Sequence, residues 1–148
     1  MQRHESQQLV DALFTQIAKE SRVAPDSEHP TLSESSLETL ISLFPSVAYS
    51  ALHIVDQGKV TKFICQQSKR VLYRVKEPQA QGAQTGEAVP MATHCDVLND
   101  FCFCFFFVKN CLGPQSSAML CKHILAVKLA EAFSQNFDEK LQVKEIED

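Results

Sequence analysis

Two close-set pairs of metal-binding residue types stand in the second half of the chain. Cys102 and Cys104 sit one residue apart in Asp-Phe-Cys-Phe-Cys-Phe, and Cys121 and His123 sit one residue apart in Leu-Cys-Lys-His-Ile-Leu. A structural zinc ion takes four tetrahedral ligands, usually thiolate or imidazole, and three cysteines with one histidine is a recurrent closed set. The pattern C-x-C, sixteen intervening residues, C-x-H meets that need. On a strand, Cys102 and Cys104 point to one side while Phe101, Phe103, Phe105 and Phe107 point to the other. Residues two apart on a regular helix lie on roughly opposite sides, at about 3.6 residues per turn. Cys121 and His123 can therefore share a metal only if Cys121 lies in the turn before a helix and His123 in its first turn. The residues that follow support such a helix: Leu125, Leu129, Ala132 and Phe133 recur at helical spacing against a polar stripe of Lys128, Glu131 and Gln135.

The same residues have plainer readings. Cysteine is often a small buried hydrophobe, and a run as apolar as 101–108 could be an inner strand whose thiols are inert. A disulfide framework is not expected, because the polar start Met1-Gln2-Arg3-His4-Glu5 carries no secretory signal and six cysteines in 148 residues fall below disulfide-scaffold density. A Cys/His nucleophile would need an orienting third group and an electropositive, partly exposed thiol, and nothing in the sequence picks one out.

With 45% apolar residues, the chain can bury a core and reads as a soluble globular protein of a reducing intracellular compartment. No apolar run approaches the roughly 20 residues that span a bilayer, so no membrane role is expected. The formal net charge is -4 and the pI about 5.7, the wrong sign for holding nucleic acid by phosphate neutralisation alone.

The elements that would position the ligands form an α+β fold: N-terminal helices, a small antiparallel sheet, and a zinc-bound helix. Leu9, Val10, Leu13, Phe14 and Ile17 mark an amphipathic helix over 5–20. Residues 22–31, with Pro25 and Pro30, read as a linker. Ser33 or Ser35 could cap a second helix carrying Leu37, Leu40, Ile41 and Phe44; Pro45 ends it, and Ser46 is a candidate cap for a third helix running to a stop at Gly58. Beyond Gly58, 60–65 and 70–76 suggest a β-hairpin. Residues 77–88 read as a flexible loop and 89–97 as a strand leading into the first ligand pair. The organisation expected is a helical unit over 1–58, a hairpin plus zinc module over 59–137, and a charged, frayed tail over 138–148.

The C-x-C pair, the aromatic residues after it and Cys121-Lys-His123-Ile-Leu-Ala-Val together resemble the SWIM-type zinc finger, whose pattern is C-x-C, a variable gap, then C-x-H opening a helix. The short length, the N-terminal helices and the Val71-Leu-Tyr-Arg-Val75 strand extend the resemblance to the SWIM-domain subunits of Shu complexes over roughly 36–135. The resemblance implies Cys102, Cys104, Cys121 and His123 as ligands of one structural zinc. It also implies a RecA-like recombinase paralogue as partner, a role in assembling or stabilising recombinase filaments on single-stranded DNA in homologous recombination repair, and residence in the nucleus. The chain lacks the family's Ser-Gly-Arg turn before the motif and has Gln67-Ser68-Lys69-Arg70 and a longer Gln/Gly loop instead. Cys111 and the adjacent His94 and Cys95 are spare ligands, and Cys65 reads as a core cysteine.

Three thiolates and one imidazole leave a zinc ion no open position, so the chain is not expected to be an enzyme. It has no G-x-x-x-x-G-K-[ST] phosphate loop, so any ATP use would belong to the partner. Loss of one ligand is expected to unfold the C-terminal half. The alternative is an autonomous nucleic-acid-binding zinc finger using Lys59, Lys62, Lys69, Arg70, Arg74, Lys76, Lys109, Lys122 and Lys128, positions that would otherwise form a solvated face.

Overall fold

A computed structural model describes residues 2–23, 32–76, 94–112, 120–134 and 141–147. Three helices come first: α1 (Gln2–Val23), α2 (Glu34–Leu43) and α3 (Ala48–Asp56). Val10, Leu13 and Ile17 of α1 are buried at helical spacing, whereas Leu9, at 59% exposure, lies off the buried stripe. Ser33 caps α2, its hydroxyl accepting from the Ser36 amide at 3.1 Å. Ser46 does not cap α3. Val47 holds that position without a side-chain bond, and the turn closes through backbone instead, the Ala48 amide donating to the Phe44 carbonyl at 2.9 Å. The end of α3 is a Schellman turn: Gly58 is left-handed at φ +65, its amide donates to the Val55 carbonyl, and the Lys59 amide donates to that of Ile54.

That turn feeds β1 (Val60–Cys65), which forms the expected antiparallel hairpin with β2 (Val71–Lys76), from Val60 opposite Val75 to Ile64 opposite Val71. The next strand, β3 (His94–Leu98), pairs antiparallel with β2, and the two-residue β4 (Phe101–Cys102) pairs antiparallel with β3. Asn99 and Asp100, both at positive φ, make the β3–β4 connection a tight two-residue turn of the kind that matches strand twist.

Two expectations are corrected. The strand foreseen through 101–108 stops at Cys102, and the chain bends into a π-helical turn over Phe107–Cys111. Alternating Phe and Cys imitates strand periodicity, but here the backbone folds back around Cys104. The Phe107 amide donates to Cys104 Sγ at 3.3 Å and the Val108 amide to the Cys104 carbonyl at 3.2 Å. The charged tail does not fray. Its residues form β5 (Gln142–Ile146), parallel to β1, which makes the sheet mixed with order β4-β3-β2-β1-β5. A short, charged strand suits a sheet edge, and Leu141, at 5% exposure, anchors it. The linker expected over 22–31, apart from the last two residues of α1, the loop over 77–88 and the first part of the strand over 89–97 fall outside the described residues.

The helix α4 (Lys122–Ser134) lies at the centre, against α1 and α3 on one side and the sheet on the other. Ile124, Leu125, Ala126, Leu129 and Ala130 are fully buried, sharing one core with Ile17, Leu40, Val60 and Val75. The expected polar stripe turns inward as well. Lys128 pairs with Asp100 in the β3–β4 turn at 3.3 Å, and Glu131 pairs with Lys62 at 3.0 Å and accepts from the Tyr73 hydroxyl. Gln135 lies outside the described residues. No described helix is long and apolar enough to cross a membrane.

Leu141→Ala is expected to lower stability by about 2–3 kcal/mol, as truncation of a buried leucine does. Val143→Ala, two residues on and 56% exposed, should change it by less than about 0.5 kcal/mol. Urea midpoints of both variants beside the parent chain check this, and equal, negligible effects would remove β5 from the folded sheet.

Candidate metal centre

Strand pairing fixes the first ligand. Cys102 sits opposite Val97, which places Cys95 and Val97 of β3 on the same face of the sheet as Cys102, toward α4. Cys104 follows in the bend and is half-buried. The second pair lies where its spacing requires. Cys121 immediately precedes α4, with its carbonyl accepting from the Leu125 amide at 3.1 Å and its Sγ from the Ile124 amide at 3.5 Å, and His123 occupies the first turn.

The donor atoms of Cys102, Cys104, Cys121 and His123 all lie within 4.8 Å of one another, and three of the four residues are buried. Cys102 Sγ is 3.6 Å from His123 Nδ1. Metal–sulfur and metal–nitrogen bonds of about 2.3 and 2.0 Å give tetrahedral edges of roughly 3.5–3.8 Å. The cluster is thus close to the shape and donor set that a zinc ion takes, and it could hold a metal ion.

The charges of the cluster are unequal. The Cys121 thiol is pulled down to about 4, chiefly by its hydrogen bond with Cys102, against burial and aided by His123 and the Ile124 amide. Cys102 is pushed far up, by donating to Cys121 and by burial, and Cys104 is pushed up first by burial. Negative charge therefore settles on Cys121 at the positive amino end of α4.

The spare ligands separate. Cys95 Sγ lies 3.2 Å from Cys102 Sγ, beside the four donors. Cys111 is half-buried, its thiol raised to about 11 by burial and then by the nearby charges of Cys121 and Cys104. His94 is exposed and alternates to the opposite face of β3 from Cys95. Cys65 is half-buried at the far end of β1.

The basic positions do not converge on one face. Lys62 reaches Glu131 on the α4 side, whereas Arg74, one register position away and so on the opposite face, pairs with Asp96 at 2.9 Å and lies over the Phe63 ring. Lys128 is paired with Asp100. Sequence reasoning missed an apolar collar around the first ligand pair: Phe103 and Phe105 are 66% and 77% exposed, Val108 and Leu112 are exposed too, and Phe101 packs edge-to-face with Phe103 and Phe107 at 5.1 Å. The signal was available, since five phenylalanines within 101–107 exceed what one face of a strand can bury.

The chain is similar to the zinc finger SWIM domain-containing protein 7 homolog of Dictyostelium discoideum, with 29% identity over 104 residues. The match covers 70% of this chain and 60% of that relative, so the chain spans less than two thirds of the relative's length. No family model matches the chain, and no solved structure matches it. The resemblance to SWIM-type zinc-finger proteins rests on this relative, and the α+β fold places a Cys/His cluster at the motif.

Zinc content by mass spectrometry should fall from about one per chain to near zero in Cys102→Ser and His123→Ala and stay at about one in Cys111→Ser. Protons and metal compete for the thiolates, so bound metal and the stability it brings decline as pH falls. Cys121, depressed relative to an unfolded thiol near about 8.5, contributes stability above that pH and loses it as pH falls toward about 4. Because Cys121 enters as thiolate while Cys102 and Cys104 enter protonated, zinc uptake at about pH 7.5 should release about two protons. Calorimetry in buffers of different ionisation enthalpy counts them, and three would mean that Cys121 is an ordinary thiol.

Proposed function

We propose that the chain is a non-catalytic zinc-binding subunit that pairs with a RecA-like recombinase paralogue and supports recombinase filaments on single-stranded DNA in homologous recombination, within the nucleus. The buried three-cysteine, one-histidine cluster carries the reading, and likeness to a SWIM zinc-finger protein supports it. A zinc ion bound there supplies a cross-link between the end of β4 and the start of α4. Four protein donors saturate such an ion, which leaves no position for a reacting water. The residues around it then do the work of association. The bend at Cys104 presents Phe103 and Phe105 with Val108 and Leu112 outward, and clustered exposed aromatics are the usual anchors of a protein interface.

A second reading, an autonomous single-stranded nucleic-acid binder, draws on Lys109 lying over the exposed Phe105 ring at 5.6 Å, since a ring beside a cation suits base stacking. The pairing of Lys62, Arg74 and Lys128 with carboxylates inside the fold weighs against it.

Co-expression with candidate RecA-like partners should recover a complex with the parent chain and lose both metal and partner in His123→Ala. A metal-free variant that still folds and fully retains its partner would sink the proposal. Binding of single-stranded DNA by the isolated chain, with affinity falling by orders of magnitude between about 50 and 200 mM salt, would instead favour the second reading.

A further inference from the structure

We propose that Cys95 and Cys102 form a redox pair through which a peroxide-class oxidant opens the metal centre. This inference rests on the zinc reading of the cluster. Cys95 is not one of the four converging donors, yet its Sγ lies 3.2 Å from the Sγ of Cys102. The contact is built into the sheet. Val97 is registered opposite Cys102, the Asn99-Asp100 turn fixes that register with two positive-φ residues, and strand alternation brings Cys95 onto the same face two positions along. A disulfide bond is about 2.0 Å long, so the two sulfurs stand about 1 Å beyond bonding distance. The other thiols of the cluster are differently placed. A metal bound by Cys102, Cys104 and Cys121 would engage all three of their sulfurs, while Cys95 would keep its thiol beside one of them.

With a metal on Cys102, its sulfur could only accept from the Cys95 thiol 3.2 Å away, the kind of outer contact that tunes a metal ligand. Cys95 is 9% exposed as a residue and Cys102 not at all, so within this pair Cys95 is the one nearer solvent and the one assigned to meet the oxidant. Its sulfur attacks one peroxide oxygen, the O–O bond breaks, and the products are a sulfenic acid and water. The Cys102 thiolate then attacks the Cys95 sulfur, the S–S bond forms, and hydroxide leaves and takes up a proton as a second water. In net terms, one thiol and one thiolate lose two electrons, and hydrogen peroxide takes the thiol proton and one proton from solvent to become two waters. Cys102 can no longer supply a thiolate, so the metal keeps three protein ligands and its hold weakens.

The test uses the full chain purified with zinc. Hydrogen peroxide is titrated in, released zinc is read with a chromogenic chelator, and disulfides are mapped by non-reducing peptide mass spectrometry. The parent chain should release zinc in step with appearance of the Cys95–Cys102 cross-linked peptide, and dithiothreitol with added zinc should reverse both. Cys95→Ser, which keeps a hydrogen-bond donor, should bind zinc normally and lose most of the release at matched peroxide. Equal release from Cys95→Ser, or cross-links among Cys102, Cys104 and Cys121 in place of the Cys95 pair, would overturn the inference while leaving the zinc centre standing. Should the chain bind no zinc, the zinc reading fails, and the cross-link map still decides for or against the pair.

Discussion

Two backbone ends have to meet for this fold to be what it is: the last residue of β4 and the first turn of α4 converge so that four soft donors lie within 4.8 Å. Neither end is held there by regular structure alone. β4 has two residues, too few for a stable strand on ladder bonds, and α4 starts after a cysteine rather than one of the usual oxygen-bearing cap residues. What replaces the cap is Cys121, whose sulfur accepts the Ile124 amide and whose carbonyl accepts that of Leu125. The position that begins the helix is therefore the position that carries the charge of the cluster, and helix geometry and ligand chemistry are settled by one residue.

From that junction, α4 extends the constraint through the molecule. Its faces are apolar nearly all round, and the helix packs against α1, α3 and the sheet. Even its charged side chains are spoken for. Glu131 takes Lys62 and Tyr73 from neighbouring strands, and burial together with Glu131 holds the Tyr73 hydroxyl well above its ordinary value. Lys128 ties α4 to the turn that sets the register of β4. An ion pair half-shielded in this way is worth little as free energy, but it specifies which way α4 faces.

The convergence of the two Cys/His pairs was legible because its logic is local. A C-x-H pair can converge only at a helix start, and the residues after His123 declare the helix. The β1–β2 hairpin, the Ser33 cap and the Gly58 stop follow equally short-range rules, and all three stand in the fold. The failures share the opposite cause. Period-two alternation of Phe and Cys fits a strand, but it also fits a bend that spends one sulfur on backbone amides, and only the long-range return of α4 selects the latter. β5 has a charged edge-strand composition that no amphipathic pattern reveals, and its partner in the parallel ladder, β1, lies some eighty residues earlier, Thr61 against Gln142. The sequence also placed Cys95 among the spare ligands without separating it from His94 or Cys111. Only the register of β3 against β4 distinguishes them.

The polarity of the thiols argues that the cluster is built for an occupant. Three of the four donor residues are buried, and the two most buried thiols are driven in opposite directions, Cys121 down and Cys102 up, by the hydrogen bond between them. Buried thiols set this close resist ionising together, because like charges repel strongly where water is excluded. A divalent ion held by Cys102, Cys104, Cys121 and His123 would let every donor be deprotonated at once, and its binding energy would become folding energy. Since α4 is shared by the helical layer and the sheet, that energy would reach beyond the C-terminal half, because the start of α4 also anchors the surface on which α1 and α3 pack.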